Sequence, residues 1–137
     1  MVLFHSETDF NLTKKTKIKS WIKECVHSEN YILGDINYIF CDDQYLLERN
    51  IQYLNHDTLT DIITFNNCED NVISGDIMIS IERIKENSIT FANNFSQELK
   101  RVMIHGVLHL IGYNDHTKEE KKIIREKEDF YLNIFDN

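Results

Sequence analysis

One segment of the chain is apolar on nearly every side of the helix that it would form, and it constrains the fold more than any other. Its large apolar residues are Leu99, Val102, Met103, Ile104, Val107, Leu108, Leu110 and Ile111. A helix that is apolar all round has no side for solvent and must lie inside a domain. Asn94 with Gln97 resembles a capping box before the segment, and Gly112 is placed to end the helix. The pattern therefore predicts a central buried helix over residues 95–111.

Four other segments have the periodicity of helices with one buried face. They cover residues 13–28, 42–54 and 82–87, and a last helix that begins at the capping box formed by Thr117 and Glu120. The predicted inner residues of the first are Ile18, Trp21, Ile22, Cys25 and Val26. Those of the second are Tyr45, Leu46, Leu47 and Ile51, with Asp42 or Asp43 as its cap. Those of the last are Ile123, Ile124, Lys127, Phe130 or Tyr131, and Ile134.

Strand patterns occupy residues 35–41, 61–65 and 72–81, which are rich in β-branched and aromatic side chains. Gly75 in the last of these marks a bulge or the close approach of another element. No proline, linker or repeat interrupts the 137 residues, so we expect one domain over residues 1–137. Strands mixed with helices predict an α+β fold, a small mixed four-stranded sheet packed with about five helices.

The sequence also excludes several classes of protein. No run reaches the ~18 apolar residues that a membrane span needs. Residues 1–10 lack the cationic start and apolar stretch of a secretory signal, which favours a cytoplasmic protein. Cys25, Cys41 and Cys68 are odd in number and have no C-x-x-C spacing. We therefore expect small buried thiols in place of a disulfide framework or a thiolate zinc site.

The charge of the chain argues against a protein that coats nucleic acid over its whole surface. Fifteen Lys and Arg residues against 23 Asp and Glu residues give a formal charge of −8, which repels a polyanion. The exception is the first helix, where Lys14, Lys15, Lys17, Lys19 and Lys23 precede its first acidic residue. A solvated helix face is the favoured interpretation, and a local surface for phosphates is the alternative.

Two histidines interrupt the apolar helix. His105 and His109 are four residues apart and fall on one face, where both imidazoles can bind one cation. A single such histidine would be a core residue bonded to a carbonyl, but two in an apolar turn each need a buried partner, and one metal ion satisfies both. Asp115 and His116 follow in a short turn. Two histidines with one of these give three ligands and an open position for water, as in catalytic zinc sites.

The helical zinc-peptidase motif, H-E-x-x-H, is not matched. Its glutamate is the general base, and the corresponding residue here is Gly106, which has no side chain and instead permits close packing. The histidine pair is therefore the only feature that supports a metallopeptidase, and this function is disfavoured.

Four blocks of the sequence resemble one known family. Residues 105–113, HGVLHLIGY, resemble the signature of the YbeY endoribonuclease family, H-G-x-L-H-L-x-G-Y-D-H. Residues 57–65, DTLTDIITF, are similar to the family block K-D-x-P-T-D-V-L-S-F, and residues 75–77 and 98–99 are similar to two shorter blocks. The blocks follow the order and spacing of the family over about residues 30–135.

The resemblance implies a cytoplasmic, metal-dependent endoribonuclease that is selective for single-stranded RNA. The family acts in ribosomal RNA maturation, notably at the 3′ end of the small-subunit RNA, and in ribosome quality control. The implied partners are single-stranded RNA and the small ribosomal subunit, with neither a membrane nor DNA. A sheet flanked by helices would hold one divalent ion, expected to be zinc, in a cleft beside the histidine helix.

The third ligand departs from the family pattern. The family has a histidine six residues after the second one, and here that position is Asp115, with His116 one residue later. Without an insertion, the capping box keeps the register of the family. This register favours His105, His109 and Asp115 as the metal ligands, with His116 as the alternative third ligand. An aspartate is an acceptable ligand for zinc.

The arginine that the family carries before the K-D block is also replaced. Its column falls on Leu54, and Arg49 lies five residues earlier. His56 stands where the family has lysine and is a surface histidine or a phosphate contact, while Asp57 is a candidate turn cap. No catalytic group is therefore assigned beyond the metal-bound water. The alternative function is a ribosome-associated assembly factor with a structural metal and little catalysis.

Overall fold

A mixed four-stranded sheet forms the centre of the structure, a computed structural model that describes residues 1–54 and 60–137. The strands are β1 (Val2–Ser6), β2 (Ile32–Cys41), β3 (Ile62–Asn66) and β4 (Val72–Ser80). Their order across the sheet is β1-β2-β4-β3. Strands β1, β2 and β4 are parallel, and β3 pairs antiparallel with β4 at one edge. The α+β fold with a mixed four-stranded sheet is confirmed.

Five helices surround this sheet in the described part of the chain. They are α1 (Lys15–Ser28), α2 (Asp43–Leu54), α3 (Ile81–Thr90), α4 (Phe95–Ile111) and α5 (Lys118–Asp136). Side chains alternate between the two faces of a strand, and Ile36, Tyr38 and Phe40 of β2 join α1, α4 and α5 in the main core. On the opposite face, a smaller core joins Leu46 of α2 to Ile63.

Helix α4 is the predicted central helix, with the predicted bounds. All its large apolar side chains between residues 99 and 110 are buried, and its backbone is tied to the sheet where the Tyr38 hydroxyl donates to the carbonyl of Met103 at 2.9 Å. Asn94 caps the first turn by accepting from the backbone N–H of Gln97. The Gln97 side chain donates to Asp136 instead, so only half of the predicted capping box forms. Gly112 ends the helix with φ 125°.

Helix α5 begins at the predicted capping box, where both hydrogen bonds between Thr117 and Glu120 are present. Its buried residues are Ile124, Glu128, Tyr131, Leu132 and Phe135. The predicted inner positions Ile123 and Phe130 are wrong, since both are exposed. The buried stripe passes one residue C-terminal to each of them, which selects Tyr131 over Phe130.

Other differences from the sequence expectation lie at the edges of the fold. Strand β1 had no counterpart among the predicted strands, because five residues with a mixed burial pattern give little periodicity. Ile51 is 48% exposed and not inward, and the neighbouring Asn50 is buried in its place. Ile81 begins α3 and does not end β4. Cys25 and Cys41 are buried as expected, and Cys68 is partly buried.

No helix within residues 1–54 and 60–137 combines the length and the apolar character that crossing a bilayer requires.

Candidate metal centre

The His105 and His109 imidazoles meet on one face of α4. Their Nε2 atoms are 2.8 Å apart, and the rings stand nearly perpendicular, with centroids 4.4 Å apart. Gly106 lets this part of α4 approach the sheet, because a Cβ there would lie 2.9 Å from Ile77 and 3.0 Å from Ile62. The missing side chain therefore sets the depth of the histidine pair beside β3 and β4.

Asp115 reaches the pair from the loop that follows α4. Its Oδ2 lies 3.5 Å from the Nε2 atom of each histidine. A metal site needs several His, Cys, Asp or Glu side chains close together. Among the described residues, one group of three or more of these has its ligand atoms within 4.8 Å of one another, and it consists of His105, His109 and Asp115. His116 is exposed and is not part of this group, although it is the adjacent residue. The structure thus brings together the three residues favoured from the register.

The other nitrogen of each ring determines what the Nε2 atoms can do. The Nδ1 atom of His105 lies 2.6 Å from Glu128 Oε2, and that of His109 lies 2.9 Å from the carbonyl oxygen of Tyr113. Both partners accept hydrogen bonds, so each Nδ1 carries a proton and donates it, which leaves a lone pair on each Nε2. Two lone pairs and a carboxylate oxygen then face one another.

Such an arrangement is repulsive unless a cation lies among its atoms. Two imidazole nitrogens and one carboxylate oxygen are also the donor types of zinc sites that keep a fourth position open. The donor set therefore fits one divalent ion, with zinc as a suitable choice. Without a metal, a proton is the only other cation small enough for a gap of 2.8 Å.

The pKa values of the two histidines are shifted in opposite directions. Burial disfavours the charged form of His105, but the hydrogen bond and charge of Glu128 outweigh it and hold its pKa above the ordinary value. Burial and the neighbouring His105 lower the pKa of His109. A proton held by the pair in place of a metal therefore resides on His105.

Glu128 is a buried carboxylate on α5 that sequence reasoning missed. Its side chain is 5% exposed and its Oε1 accepts from Arg101 at 3.0 Å, while Oε2 accepts from His105. The other Nη atom of Arg101 donates to Asp129 at 2.7 Å. The stripe of α5 that contains Ile124 and Tyr131 also contains position 128, and a buried acid on such a stripe is the signal that would have identified it.

A second carboxylate, Glu29, fixes the loop on the other side. The Tyr113 hydroxyl donates to Glu29 Oε1 at 2.5 Å, and the Tyr131 hydroxyl and Lys127 donate to Oε2. Burial disfavours the Glu29 carboxylate, yet these three donors outweigh burial and hold its pKa below the ordinary value. Because the Tyr113 backbone carbonyl is the partner of His109, Glu29 positions that partner from the end of α1. Sequence reasoning missed this contact as well.

A groove of about 340 Å³ lies beside the cluster. Its lining residues come from the start of β3, from α4, from the loop and from α5: Asp61, Ile62, Glu98, Arg101, Val102, His105, Asp115, Lys121, Ile124, Arg125 and Glu128. Burial raises the pKa of Asp61, whose carboxylate accepts from Asn87 at 3.4 Å. The groove gives an extended ligand a path to His105 and Asp115 of the cluster.

The other residues that the sequence analysis named are Arg49, Leu54, His56 and Asp57. The Arg49 guanidinium lies 4.3 Å from the centre of the Tyr45 ring, and Arg49 is not among the residues that line the groove. Leu54 is the last residue of α2. Its side chain, His56 and Asp57 fall outside the described residues, so their suggested roles stay predictions.

Comparison with known proteins gives a consistent result. The sequence model of the family described as Endoribonuclease YbeY matches residues 4–136, a longer stretch than residues 30–135 suggested by the motifs. A protein from Flavobacterium psychrophilum named Endoribonuclease YbeY is 52% identical over 135 residues, which cover 98% of this chain and 96% of that protein. A protein of the same name from Karelsulcia muelleri is 51% identical over 132 residues, covering 96% and 94%.

A solved structure is similar along almost the whole chain. The solution structure of a protein from Thermotoga maritima superposes with a TM-score of 0.69 at 28% sequence identity. The match covers 98% of this chain and 89% of that one. Together with the matches in sequence, this likeness leads to one conclusion: the chain belongs to the YbeY endoribonuclease family.

Proposed function

We propose that this protein is a metal-dependent endoribonuclease that cuts single-stranded RNA with one zinc ion. The ion would be held by Nε2 of His105, Nε2 of His109 and a carboxylate oxygen of Asp115. The observation that carries the proposal is the convergence of these three acceptor atoms, within 4.8 Å of one another, at the side of a groove. Membership of a family named for endoribonuclease activity supplies the reaction.

Each residue has a separate task in this function. A bound divalent ion supplies Lewis acidity toward a phosphate oxygen and lowers the pKa of water. Glu128 and the Tyr113 carbonyl hold the two imidazoles with their Nε2 atoms directed at each other. Asp115, in place of a histidine, makes the donor set more negative by one charge, which reduces the electrophilicity of the ion.

We further propose that the substrate is ribosomal RNA in the cytoplasm. The resemblance of the histidine signature to its family supports a role at the 3′ end of the small-subunit RNA and in ribosome quality control. The small ribosomal subunit is then the partner that presents the RNA. The formal charge of −8 supports a substrate delivered in a complex over one captured by the protein surface as a whole.

Cleavage by the purified protein tests the activity. A labelled single-stranded RNA is incubated with the zinc-loaded protein, with the chelated protein and with His109→Ala, and the same RNA in duplex form serves as the substrate control. We expect cutting of the single strand by the loaded protein only, restored after chelation by added zinc. Cutting that survives both chelation and His109→Ala would identify a contaminating nuclease and remove the proposal.

The second candidate is a ribosome-associated assembly factor in which the metal joins the loop to the core. It is favoured by one observation, Leu54 in the column where the family has arginine. A protein that binds zinc stoichiometrically, joins the small subunit and cuts no RNA would establish this alternative. A metallopeptidase is the least favoured function. If the zinc-loaded protein cleaved no member of a peptide library, this function would be excluded.

A further inference from the structure

Lys121 and Arg125 line one wall of the groove beside the metal centre. Neither side chain has a role in holding the proposed metal ion. We propose that these two side chains bind backbone phosphates of single-stranded RNA next to the phosphate at the metal centre. The inference rests on the proposed function, since it names how the same site holds its substrate.

Position supports this assignment. Lys121 and Arg125 are one turn apart on α5, which is about 6 Å along the helix axis, and both line the groove together with His105 and Asp115. Ile124, which lies between them in sequence, is buried against the core. This face of α5 is therefore fixed toward the groove, and the two cations lie on it beside the cluster.

The two cations are also free to bind an anion. The nearest carboxylate oxygen to Arg125 among the described residues is Glu128 Oε1 at 3.9 Å, which already accepts from Arg101 at 3.0 Å. The Arg125 side chain is 63% exposed. Lys121 has no ion pair within residues 1–54 and 60–137, and it is exposed. Exposed arginine and lysine side chains without a close carboxylate partner form strong charge-assisted hydrogen bonds with phosphate.

The acidic side chains of the groove do not cancel this charge. Glu128 is paired with Arg101 and His105, and Asp115 faces the histidine pair. Asp61 immediately precedes β3, and its carboxylate accepts from Asn87. Glu98 lies in the first turn of α4 and not on α5. Positive charge is thus concentrated on the α5 wall, and a chain with net charge −8 needs such a local site to hold a polyanion.

The experiment measures the salt dependence of RNA binding. The probe is a fluorescein-labelled single-stranded 2′-O-methyl RNA, which resists cleavage, and anisotropy titrations with zinc-loaded protein are repeated over a range of salt concentrations. The test variant is Lys121→Gln with Arg125→Gln. Its matched control is Lys118→Gln with Lys122→Gln, which removes the same charge at the same spacing from exposed positions outside the groove.

We expect the test variant to flatten the slope of log affinity against log salt by about 1.4, because each phosphate contact of a single strand contributes ≈ 0.7. Zinc content and melting temperature should stay those of the unmodified protein, since both side chains are exposed. The control should change the slope by much less. Equal slopes for test and control would overturn the inference.

A third variant, Lys15→Gln with Lys19→Gln, examines the basic face of α1. A loss of slope there, with none in the groove variant, would assign phosphate binding to α1 and overturn the inference. Unmodified protein that binds through the groove yet cuts no RNA would reject the proposed activity and leave this inference standing. Unmodified protein that does not bind the RNA at any salt concentration would reject both.

Discussion

His105 and His109 lie one turn apart on the same helix, yet two different regions of the molecule support them. On the α5 side, the Glu128 carboxylate accepts directly from His105 and is itself held by Arg101. On the α1 side, the partner of His109 is a backbone carbonyl, that of Tyr113, and Glu29 acts only by fixing the ring of the same tyrosine.

The difference shows that the two histidines of the candidate metal centre are oriented in two different ways. A carboxylate bonded to Nδ1 orients the ring and increases the basicity of Nε2, so Glu128 affects both the position of His105 and its strength as a ligand. The backbone carbonyl of residue 113 carries no net charge, and it is present with any side chain at that position. The α1 side therefore acts on the position of the loop, and through it on His109 and Asp115.

The largest expected effect comes from removing either imidazole. His105→Ala or His109→Ala should lose zinc almost completely, a cost of several kcal/mol against the ~10–16 kcal/mol of structural zinc sites, and should lower the melting temperature of the loaded protein. Zinc bound per chain after desalting measures the first effect. Full zinc occupancy in both variants would remove the histidines from the site.

Asp115→Ala should weaken zinc binding almost as much as the loss of a histidine, because it removes the third ligand and leaves two. His116→Ala is the matched control, since its side chain is exposed and one residue away. Competition with a fluorescent zinc chelator compares the two affinities. If His116→Ala weakened zinc binding more than Asp115→Ala, the assignment of the loop ligand would be reversed.

Glu128→Gln tests the α5 side of the comparison. The amide keeps the shape of the side chain but loses its charge, so His105 becomes a weaker ligand and zinc affinity should fall by about 10–100-fold. Glu126→Gln, an exposed position on the same helix, is the control. Glu128→Asp should recover less than the full affinity, because the shorter chain retains the charge but not the reach. Identical affinities for Glu128→Gln and Glu126→Gln would show that Glu128 has no role at the metal.

Glu29→Gln tests the α1 side and should have a smaller effect on zinc, less than about tenfold, since the Tyr113 carbonyl remains. Its distinctive result is faster hydrogen exchange of the loop amides at residues 113–116. Glu24→Gln, exposed on α1, controls for the charge change. A loss of zinc affinity as large as that of Glu128→Gln would erase the distinction between the two sides.

The smallest effect concerns acid stability without metal. The pKa of Glu29 in the folded protein lies below its ordinary value of 4.5, so its ionised form stabilises the fold above about pH 4.5, and this stabilisation is lost as the pH falls through the folded pKa. Urea unfolding at pH 7 and pH 4 should therefore show a smaller pH-dependent loss for Glu29→Gln than for the unmodified protein. An equal loss in both would mean that Glu29 does not contribute.

Local signals in the sequence were sufficient for much of the fold. The apolar segment and its flanking caps predict α4 to the residue, because a helix without a polar side has one environment available. Strand β1 escaped prediction, since its pairing with β2 is parallel and brings together residues 34 apart, as in Val2 and Ile36. Helix α2 buries Asn50 and exposes Ile51, a choice made by tertiary packing that the apolar periodicity of the helix does not contain.

The same division applies to the metal centre. Helical periodicity places His105 beside His109, and the short loop after Gly112 places Asp115 near them. The supporting carboxylates are held by contacts across 23 residues, from His105 to Glu128, and across 84 residues, from Glu29 to Tyr113. Such pairs follow from packing of α5 and α1 against α4. The sequence alone therefore named the three candidate ligands that the structure brings together, but not the groups that orient them.

The central claim is that His105, His109 and Asp115 bind one ion, and a crystal structure of the zinc-loaded protein tests it most directly. Anomalous scattering at the zinc edge locates the ion independently of the refined protein. The account predicts one peak about 2.0–2.1 Å from both Nε2 atoms and about 2.0–2.2 Å from a carboxylate oxygen of Asp115. A peak bonded to a nitrogen of His116 in place of Asp115, or a peak away from the histidine pair, would contradict it.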